Sequence, residues 1–151
     1  MTLRSGLVVP KFNGTSAYVK NSTADWRSGD SGGAIGVFFK VGTTATHTIF
    51  SSCDEAGTAK YILFRLFTSN YLQISQRNND TTCTVRGGTS ITDGQWHSGF
   101  ATSDGSAWAL LLDGVAETLT VTAGTNNGDW FADTSGRDNV AIGASIQSST
   151  T

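Results

Sequence analysis

The sequence predicts an all-β protein whose strands build an antiparallel sandwich of two sheets. Glycine accounts for 18 of the 151 residues and threonine for 22, and both residue types are common in proteins that have many strands and turns. Three Asp-Gly pairs, beginning at Asp93, Asp104 and Asp113, fall within 22 residues. Asp-Gly supplies the positive φ angles that tight hairpins need. No segment of ten or more residues keeps a helical apolar stripe, so the pattern predicts an antiparallel meander.

Each strand is predicted from alternating apolar side chains between turn residues. The first two strands flank Asn13-Gly14, and the long loop 124–138 separates the last two. Apolar residues of the central strands recur at every second position, as in Ile62, Phe64 and Leu66. The predicted strands are 7–12, 17–20, 34–41, 46–52, 61–68, 71–77, 81–86, 96–102, 108–113, 115–122 and 139–144. About eleven strands at this spacing, without a repeat or a linker, indicate one sandwich domain over residues 1–151.

Composition and charge exclude several classes of partner. A net charge of −2 does not favour nucleic acid, which needs a basic surface. No apolar run approaches the ~20 residues of a membrane span, and the first residues lack the apolar stretch of a signal peptide. We therefore expect either synthesis in a cytoplasm, where Cys53 and Cys83 would be free thiols, or a leader that has been removed from this sequence. A disulfide between them stays open as the alternative, because the sequence does not give their separation.

Four short motifs follow one another in a characteristic order. They are Phe-Asn-Gly-Thr-Ser-Ala-Tyr-Val at 12–19, Asp-Gly-Gln-Trp-His at 93–97, Leu-Leu-Leu-Asp-Gly at 110–114 and Asn-Val-Ala-Ile-Gly-Ala at 139–144. In order and spacing they resemble the laminin-G-like, concanavalin A-like domains over residues 7–146. The resemblance implies a jelly-roll sandwich. It does not fix a function, because this fold carries lectins, adhesion modules, glycosidases and virion proteins.

The chain departs from that family pattern in two places. Relatives continue past Ile-Gly into another apolar strand, whereas this chain ends in Ser-Ile-Gln-Ser-Ser-Thr-Thr at 145–151. We therefore expect one unpaired sheet edge, and such edges invite a partner strand. After Trp96, which we expect in the core, Gly99 and Ala101 replace the usual branched residues while Phe100 points the other way. This pattern predicts altered packing on that sheet.

The residues do not support catalysis. Gly-Asp-Ser-Gly-Gly at 29–33 spells a serine-protease nucleophile motif, but no histidine precedes Ser31 and nothing marks His47 as its base. Glycosidases of this fold need clustered carboxylates, whereas Glu55 and Glu117 each stand alone. We expect no enzyme activity and read His97 as a structural residue beside Trp96.

Calcium is the one cofactor that the loops leave open. The carboxylates that could hold it are Asp54, Asp129, Asp133 and Asp138. The alternative is that these residues cap turns, because no dense Asp-x-Asp-x-Asp ladder occurs. Otherwise we expect no cofactor and no metal.

An aromatic and arginine-rich surface is the best candidate for binding. If the even-numbered apolar residues of strand 61–68 face the core, the odd-numbered ones face outward together with residues of the next two strands. The candidate partner-binding residues are Tyr61, Arg65, Phe67, Tyr71, Arg77 and Arg86, with Trp130 of loop 124–138 as a second patch. Such residues are typical of recognition surfaces and also stack on sugars. The alternatives are that the strand residues pack under a long loop or a second layer and that Trp130 plugs the end of the sandwich.

Two functions fit these observations. The first is a structural virion component, such as a capsid decoration or cement protein of a phage. It would sit on the virion surface as a homo-oligomer or bind the viral coat protein. The alternative is a carbohydrate-binding, lectin-type module whose partner is a glycan.

Overall fold

The computed structural model describes residues 9–13 and 16–148, which form two antiparallel sheets and one short 3₁₀ helix, Phe131–Asp133. The strands are β1 (Val19–Ser22), β2 (Gly33–Lys40), β3 (His47–Cys53), β4 (Lys60–Phe67), β5 (Tyr71–Asn78), β6 (Thr81–Ser90), β7 (Trp96–Ser103), β8 (Trp108–Leu112), β9 (Val115–Ala116), β10 (Thr120–Ala123) and β11 (Asn139–Ile142). No helix in these ranges is long and apolar enough to cross a membrane.

The two sheets confirm the predicted sandwich. The seven-stranded sheet has the order β1-β11-β3-β4-β5-β6-β10, and the four-stranded sheet has the order β2-β7-β8-β9. The predicted strand 115–122 is two strands in the structure. Its first part, β9, belongs to the four-stranded sheet, and its second part, β10, belongs to the seven-stranded sheet. Of the predicted strand 7–12, residues 7 and 8 lie outside the described ranges and residues 9–12 form no strand. Gly14 of the first predicted turn also lies outside these ranges.

The core lies between the sheets, where the alternation of β4 and β5 placed it. Ile62, Phe64 and Leu66 are all at most 1% exposed. Burying such side chains contributes about 1.5–3 kcal/mol each, so this face fixes the register of the sheet.

Strand β7 packs as its small residues predicted. Ala101 is fully buried, while Phe100 on the opposite face is 37% exposed. A Cβ at Gly99 would lie 3.1 Å from the Phe39 ring and 3.2 Å from Leu72. Glycine therefore lets side chains from both sheets approach this strand closely.

The expectation that Trp96 lies in the core is wrong. Its side chain is only partly buried. Trp96 lies on the same face of β7 as Phe100, and this face points away from the other sheet. Trp108 and Trp130, each 2% exposed, fill the core instead.

The two cysteines lie on opposite faces of the seven-stranded sheet. Cys83 belongs to the core cluster, whereas the Cys53 thiol faces outward and lies 3.7 Å from the Ser145 hydroxyl. Both are free thiols, as predicted. Burial raises the pKa of Cys53 above its usual value, which keeps the thiol protonated.

The expected open edge is not beside β11, because β11 pairs with both β1 and β3. The residues after it turn back across the outer face of the seven-stranded sheet. The Ser51 hydroxyl donates a 2.8 Å hydrogen bond to the Ala144 carbonyl, and the side-chain Nδ2 of Asn139 donates a 3.0 Å bond to the Ile146 carbonyl. Among the described strands, β1, β10, β2 and β9 lie at sheet edges and each pairs on one side only. The longest of these four is β2, which pairs only with β7.

Candidate functional site

A groove of about 340 Å³ lies on the outer face of the seven-stranded sheet, at the turn between β4 and β5. Its lining residues are Phe67, Thr68, Ser69, Tyr71, Gln73, Arg86 and Thr122. Direct pairing across the strands forms it, because Phe67 lies opposite Tyr71, and Gln73 lies opposite both Arg65 and Arg86. The groove thus collects side chains from four neighbouring strands and one turn.

A bulge in β6 opens the groove beside Tyr71. Gln73 pairs with Arg86 but Tyr71 pairs with Ser90, so β6 holds extra residues over this stretch. A Cβ at Gly87 would lie 2.5 Å from a Glu117 carboxylate oxygen, which in turn accepts a 2.8 Å bond from the Thr89 amide. Glycine at this point lets the bulged strand close against Glu117 without placing a side chain there.

Arg65 and Arg86 each stack on an aromatic ring and have no ion-pair partner among the described residues. The Arg65 guanidinium lies 4.5 Å from the centre of the Phe67 ring, and the Arg86 guanidinium lies 4.5 Å from the centre of the Tyr71 ring. Arg65 also donates a 2.7 Å hydrogen bond from Nε to the side-chain oxygen Oε1 of Gln73. Neither arginine has a carboxylate partner in the part of the chain that the structure describes.

Burial makes the Arg65 cation costly to leave unpaired. Desolvation lowers the pKa of its guanidinium from the usual value. Arginine keeps its proton at every physiological pH, so the charge persists. Because Arg65 and Arg86 lie two strands apart, their Cα atoms are separated by roughly 10 Å. The pair can therefore face one anionic group, or two neighbouring ones, above Gln73.

The structure brings four of the seven predicted site residues together and separates the other three. Arg65, Phe67, Tyr71 and Arg86 form the groove and its edge. Tyr61 and Arg77 pair with each other farther along the sheet, and Arg77 donates to the Asn79 and Thr58 carbonyls instead.

The prediction that Trp130 forms an exposed patch is wrong. Its ring is 2% exposed and packs edge-on against Phe131 at 5.2 Å. The alternative, that it plugs the end of the sandwich, is the one the structure bears out. Sequence reasoning left out Thr68, Ser69 and Thr122 as groove residues, because their polar character alone does not indicate a groove.

The loop carboxylates named for calcium are used within the fold. Asp54 accepts the Ala56 amide at 3.0 Å, Asp138 accepts the Glu55 amide at 2.8 Å, and Asp133 accepts the Trp130 amide at 2.7 Å. Burial raises the pKa of Asp129. The described residues contain no group of three or more metal-ligating side chains.

His97 lies on the other sheet and joins two turns. One ring nitrogen lies 2.9 Å from an Asp93 oxygen and the other 2.7 Å from an Asp113 oxygen. Asp113 and Gly114 have φ angles of 50° and 80°, as the predicted Asp-Gly hairpin requires. Only an imidazolium can donate to both carboxylates at once. His97 therefore has the structural role that the sequence predicted, but its partners are the aspartates rather than a buried Trp96.

This cluster predicts a pH-dependent stability. The bond to Asp93, followed by that to Asp113, raises the pKa of His97 above 6.5, and the same bonds lower the pKa values of both aspartates below 3.8. The histidine contribution is present below pH 6.5 and is lost as the pH rises through the raised value. The aspartate contribution is lost as the pH falls through their lowered values.

We therefore expect the difference in Tm between the wild type and His97→Gln to be largest near pH ~5 and to shrink toward both ends of the range. Thermal unfolding followed by circular dichroism from about pH 3 to 9 measures it. A difference that does not change with pH would contradict this assignment.

Comparison with known proteins bears on the fold. No family model and no curated protein matches the sequence. The carbohydrate-binding module CBM40 of the Ruminococcus gnavus IT-sialidase superposes with a TM-score of 0.65 at 15% identity, over 77% of this chain and 65% of that chain. The mouse laminin α1 domains LG4-5 superpose with a TM-score of 0.52 at 14% identity, over 83% of this chain and 31% of that one. The chain has the laminin-G-like, concanavalin A-like jelly-roll fold. The resemblance inferred from the four motifs is confirmed for the fold.

A third similar structure belongs to a larger protein. The leech intramolecular trans-sialidase, complexed with 2,7-anhydro-Neu5Ac, superposes with a TM-score of 0.65 at 15% identity over 92% of this chain. This chain covers only 24% of the leech protein, and the R. gnavus module is also longer than the region matched. At these identities the likeness establishes the laminin-G-like fold and leaves the ligand to be argued from the groove.

Proposed function

We propose that this laminin-G-like domain is a carbohydrate-binding module and that it binds anionic glycans in the groove between Arg65, Tyr71 and Arg86. The observation that carries the proposal is the pair of stacked guanidiniums without carboxylate partners. A sugar ring presents C–H groups that pack on aromatic rings such as Phe67 and Tyr71. A carboxylate on that sugar would accept charge-assisted hydrogen bonds from arginine, the strongest kind available at a protein surface.

The groove is preorganised for such a ligand. Gln73 is 2% exposed and holds Arg65 in place through a 2.7 Å hydrogen bond. Arg86 is held by its ring contact with Tyr71. Side chains that are already fixed lose less entropy on binding, and this raises affinity for a given set of contacts.

Structures of similar fold support the same ligand class. The R. gnavus module is known bound to α2,3-sialyllactose and to α2,6-sialyllactose. Sialyllactose carries one carboxylate, whereas lactose is neutral. The pair is therefore a suitable probe of charge recognition by this chain.

The proposal predicts binding of sialyllactose and its loss in groove variants. We expect the wild type to bind 3′-sialyllactose more tightly than lactose in isothermal titration calorimetry. Arg86→Met and Arg65→Met should each weaken sialyllactose binding at least tenfold, which is ~1.4 kcal/mol. Tyr71→Ala should weaken binding of both sugars, because it removes the stacking surface.

Arg77→Met is the matched control, since Arg77 lies on the same face but outside the groove. It should bind like the wild type. A glycan array with neutral, sialylated, sulfated and uronic-acid sugars extends the test beyond one ligand. Absence of binding to every sugar, or equal loss in Arg77→Met and Arg86→Met, would contradict the proposal.

The lectin-type function, which the sequence left as the alternative, is thus better supported than the virion component that came first. The structures of similar fold are carbohydrate-binding and laminin modules, and none of those named here is a virion protein. A coat-protein partner, a homo-oligomer, a place on the virion surface and the lack of enzyme activity stay predictions. Size-exclusion chromatography with light scattering tests the oligomer directly.

A further inference from the structure

We infer that the free edge of β2 is a docking site for an extended segment of another protein chain. The segment would add as a strand beside β2 and would carry apolar side chains at alternate positions. This site lies on the opposite side of the sandwich from the outer-face groove, and it does not depend on the function proposed for that groove.

The β2 edge is the one long, regular edge in the described part of the fold. β9 has two residues and β1 has four, while the pairing of β10 with β6 is interrupted by a register shift. β2 has eight residues and pairs with β7 without any shift. Short or bulged edges resist the addition of a strand, whereas a long regular edge offers a row of unpaired N–H and C=O groups.

Apolar side chains next to this edge are exposed and have no cover from the residues that the structure describes. β8 lies over β5 and β6, and Gly99 of β7 faces Leu72 of β5. β2 follows β7 in its sheet, so it lies over β3 and β4, and β11 and β1 extend beyond it. On the inner face of these two strands Val19 is 58% exposed and Ile142 is 48% exposed. The two are register partners of one another, so they form a continuous apolar floor.

A pocket of about 310 Å³ lies at the start of the same edge. Its walls include Trp26, Ile35 and Phe131 and also Arg27 and Asp30, which are paired with each other. The rings of Trp26 and Phe131 meet edge-on at 5.2 Å. An apolar side chain from an added strand would fit against these rings. Backbone pairing along an edge together with side-chain pockets beside it is the usual basis of strand addition.

The chemistry of the site defines its occupant. The sole charge on β2 is Lys40 at its last position, and β11 has none. Lys20 of β1 is paired with Glu55. An uncharged segment therefore fits best, because a buried unpaired charge is costly.

The width of the site excludes a whole sandwich pairing edge to edge. β11 and β1 extend beyond β2 by roughly 10 Å, which is the width of about two strands. A second copy approaching through its own β2 would bring its own overhanging strands against these. A single extended segment meets no such obstacle.

The test uses a peptide of alternating threonine and valine with a lysine at each end for solubility. We expect it to shift the NMR signals of β2, Val19, Ile142 and the Trp26 indole, and to slow amide hydrogen exchange along β2. The same peptide methylated on its backbone nitrogens should have no effect, because it cannot pair with the edge. Ile142→Lys and Val19→Lys should each weaken binding at least tenfold.

Val121→Lys is the matched control, since Val121 is also 48% exposed and lies on the opposite edge of the same sheet. It should leave peptide binding unchanged, and thermal unfolding of each variant separates loss of binding from loss of fold. Alternate N–H groups of β2 point toward β7 and toward the open edge. If both groups of amides exchange slowly in the free protein, the edge is already covered and the inference is overturned. Equal shifts from the methylated peptide, or no shifts at about 1 mM peptide, would do the same.

Discussion

Replacing Arg137 with methionine is expected to destabilise the protein by about 3–5 kcal/mol. Arg137 is 1% exposed although it is charged. It donates hydrogen bonds to the Thr134 carbonyl at 2.7 Å, the Phe131 carbonyl at 2.8 Å and the Ser52 hydroxyl at 2.7 Å. Methionine fills a similar volume but donates nothing, so several buried acceptors lose their partners together.

The same side chain joins parts of the chain that are distant in sequence. Two Arg137 nitrogens each lie 3.2 Å from the Trp26 carbonyl, and the guanidinium lies 5.2 Å from the centre of the Phe131 ring. Burial lowers the pKa of Arg137 from its usual value, but the cation persists because its donors are all used. The loop before β2, the loop after the 3₁₀ helix and strand β3 thus depend on one residue.

Urea unfolding followed by tryptophan fluorescence measures this effect, with Arg77→Met as the control. Arg77 is half-buried and donates to two carbonyls at the surface. Water can replace it there, so its loss should cost about 1 kcal/mol or less. If Arg137→Met costs no more than Arg77→Met, the buried network does not hold the loops as described.

Arg137 also marks the boundary of what the sequence could predict. Alternation in β4 and β5 identified the core face, and the opposite parity identified Arg65, Phe67 and Tyr71 as neighbours. Period-two patterns place side chains on a face because the strand geometry is fixed. An arginine in the polar loop 124–138 has no such pattern, and nothing in its neighbours shows that it is buried.

Features set by pairing between distant strands were equally out of reach. The bulge that opens the groove beside Tyr71 depends on which residues of β6 lie opposite β5. The segment 143–148 ends no sheet but crosses the outer face, held by bonds to Ser51 and Asn139. Neither arrangement has a local signature, since both depend on contacts between residues far apart in the chain.

The two strand tryptophans provide the second large prediction. Trp108→Ala should cost about 3–5 kcal/mol, the range for removing a buried aromatic side chain. Trp108 is 2% exposed, and its ring N–H donates a 2.9 Å hydrogen bond to the Asp129 carbonyl. The mutation would leave a cavity between the sheets and an unpaired carbonyl under loop 124–138.

Trp96→Ala should cost less than half as much, because parity places the two rings on opposite sides of the four-stranded sheet. Gly99 and Ala101 face the core, so residues 97, 99 and 101 share the inner face of β7 while Trp96 and Phe100 share the outer face. The inner face of β7 carries small residues there because the other sheet approaches closely. The large ring that fills the remaining space comes from β8, which begins with Trp108. Equal losses in the two variants, measured by urea unfolding, would show that the outer face of this sheet is itself covered by a second layer.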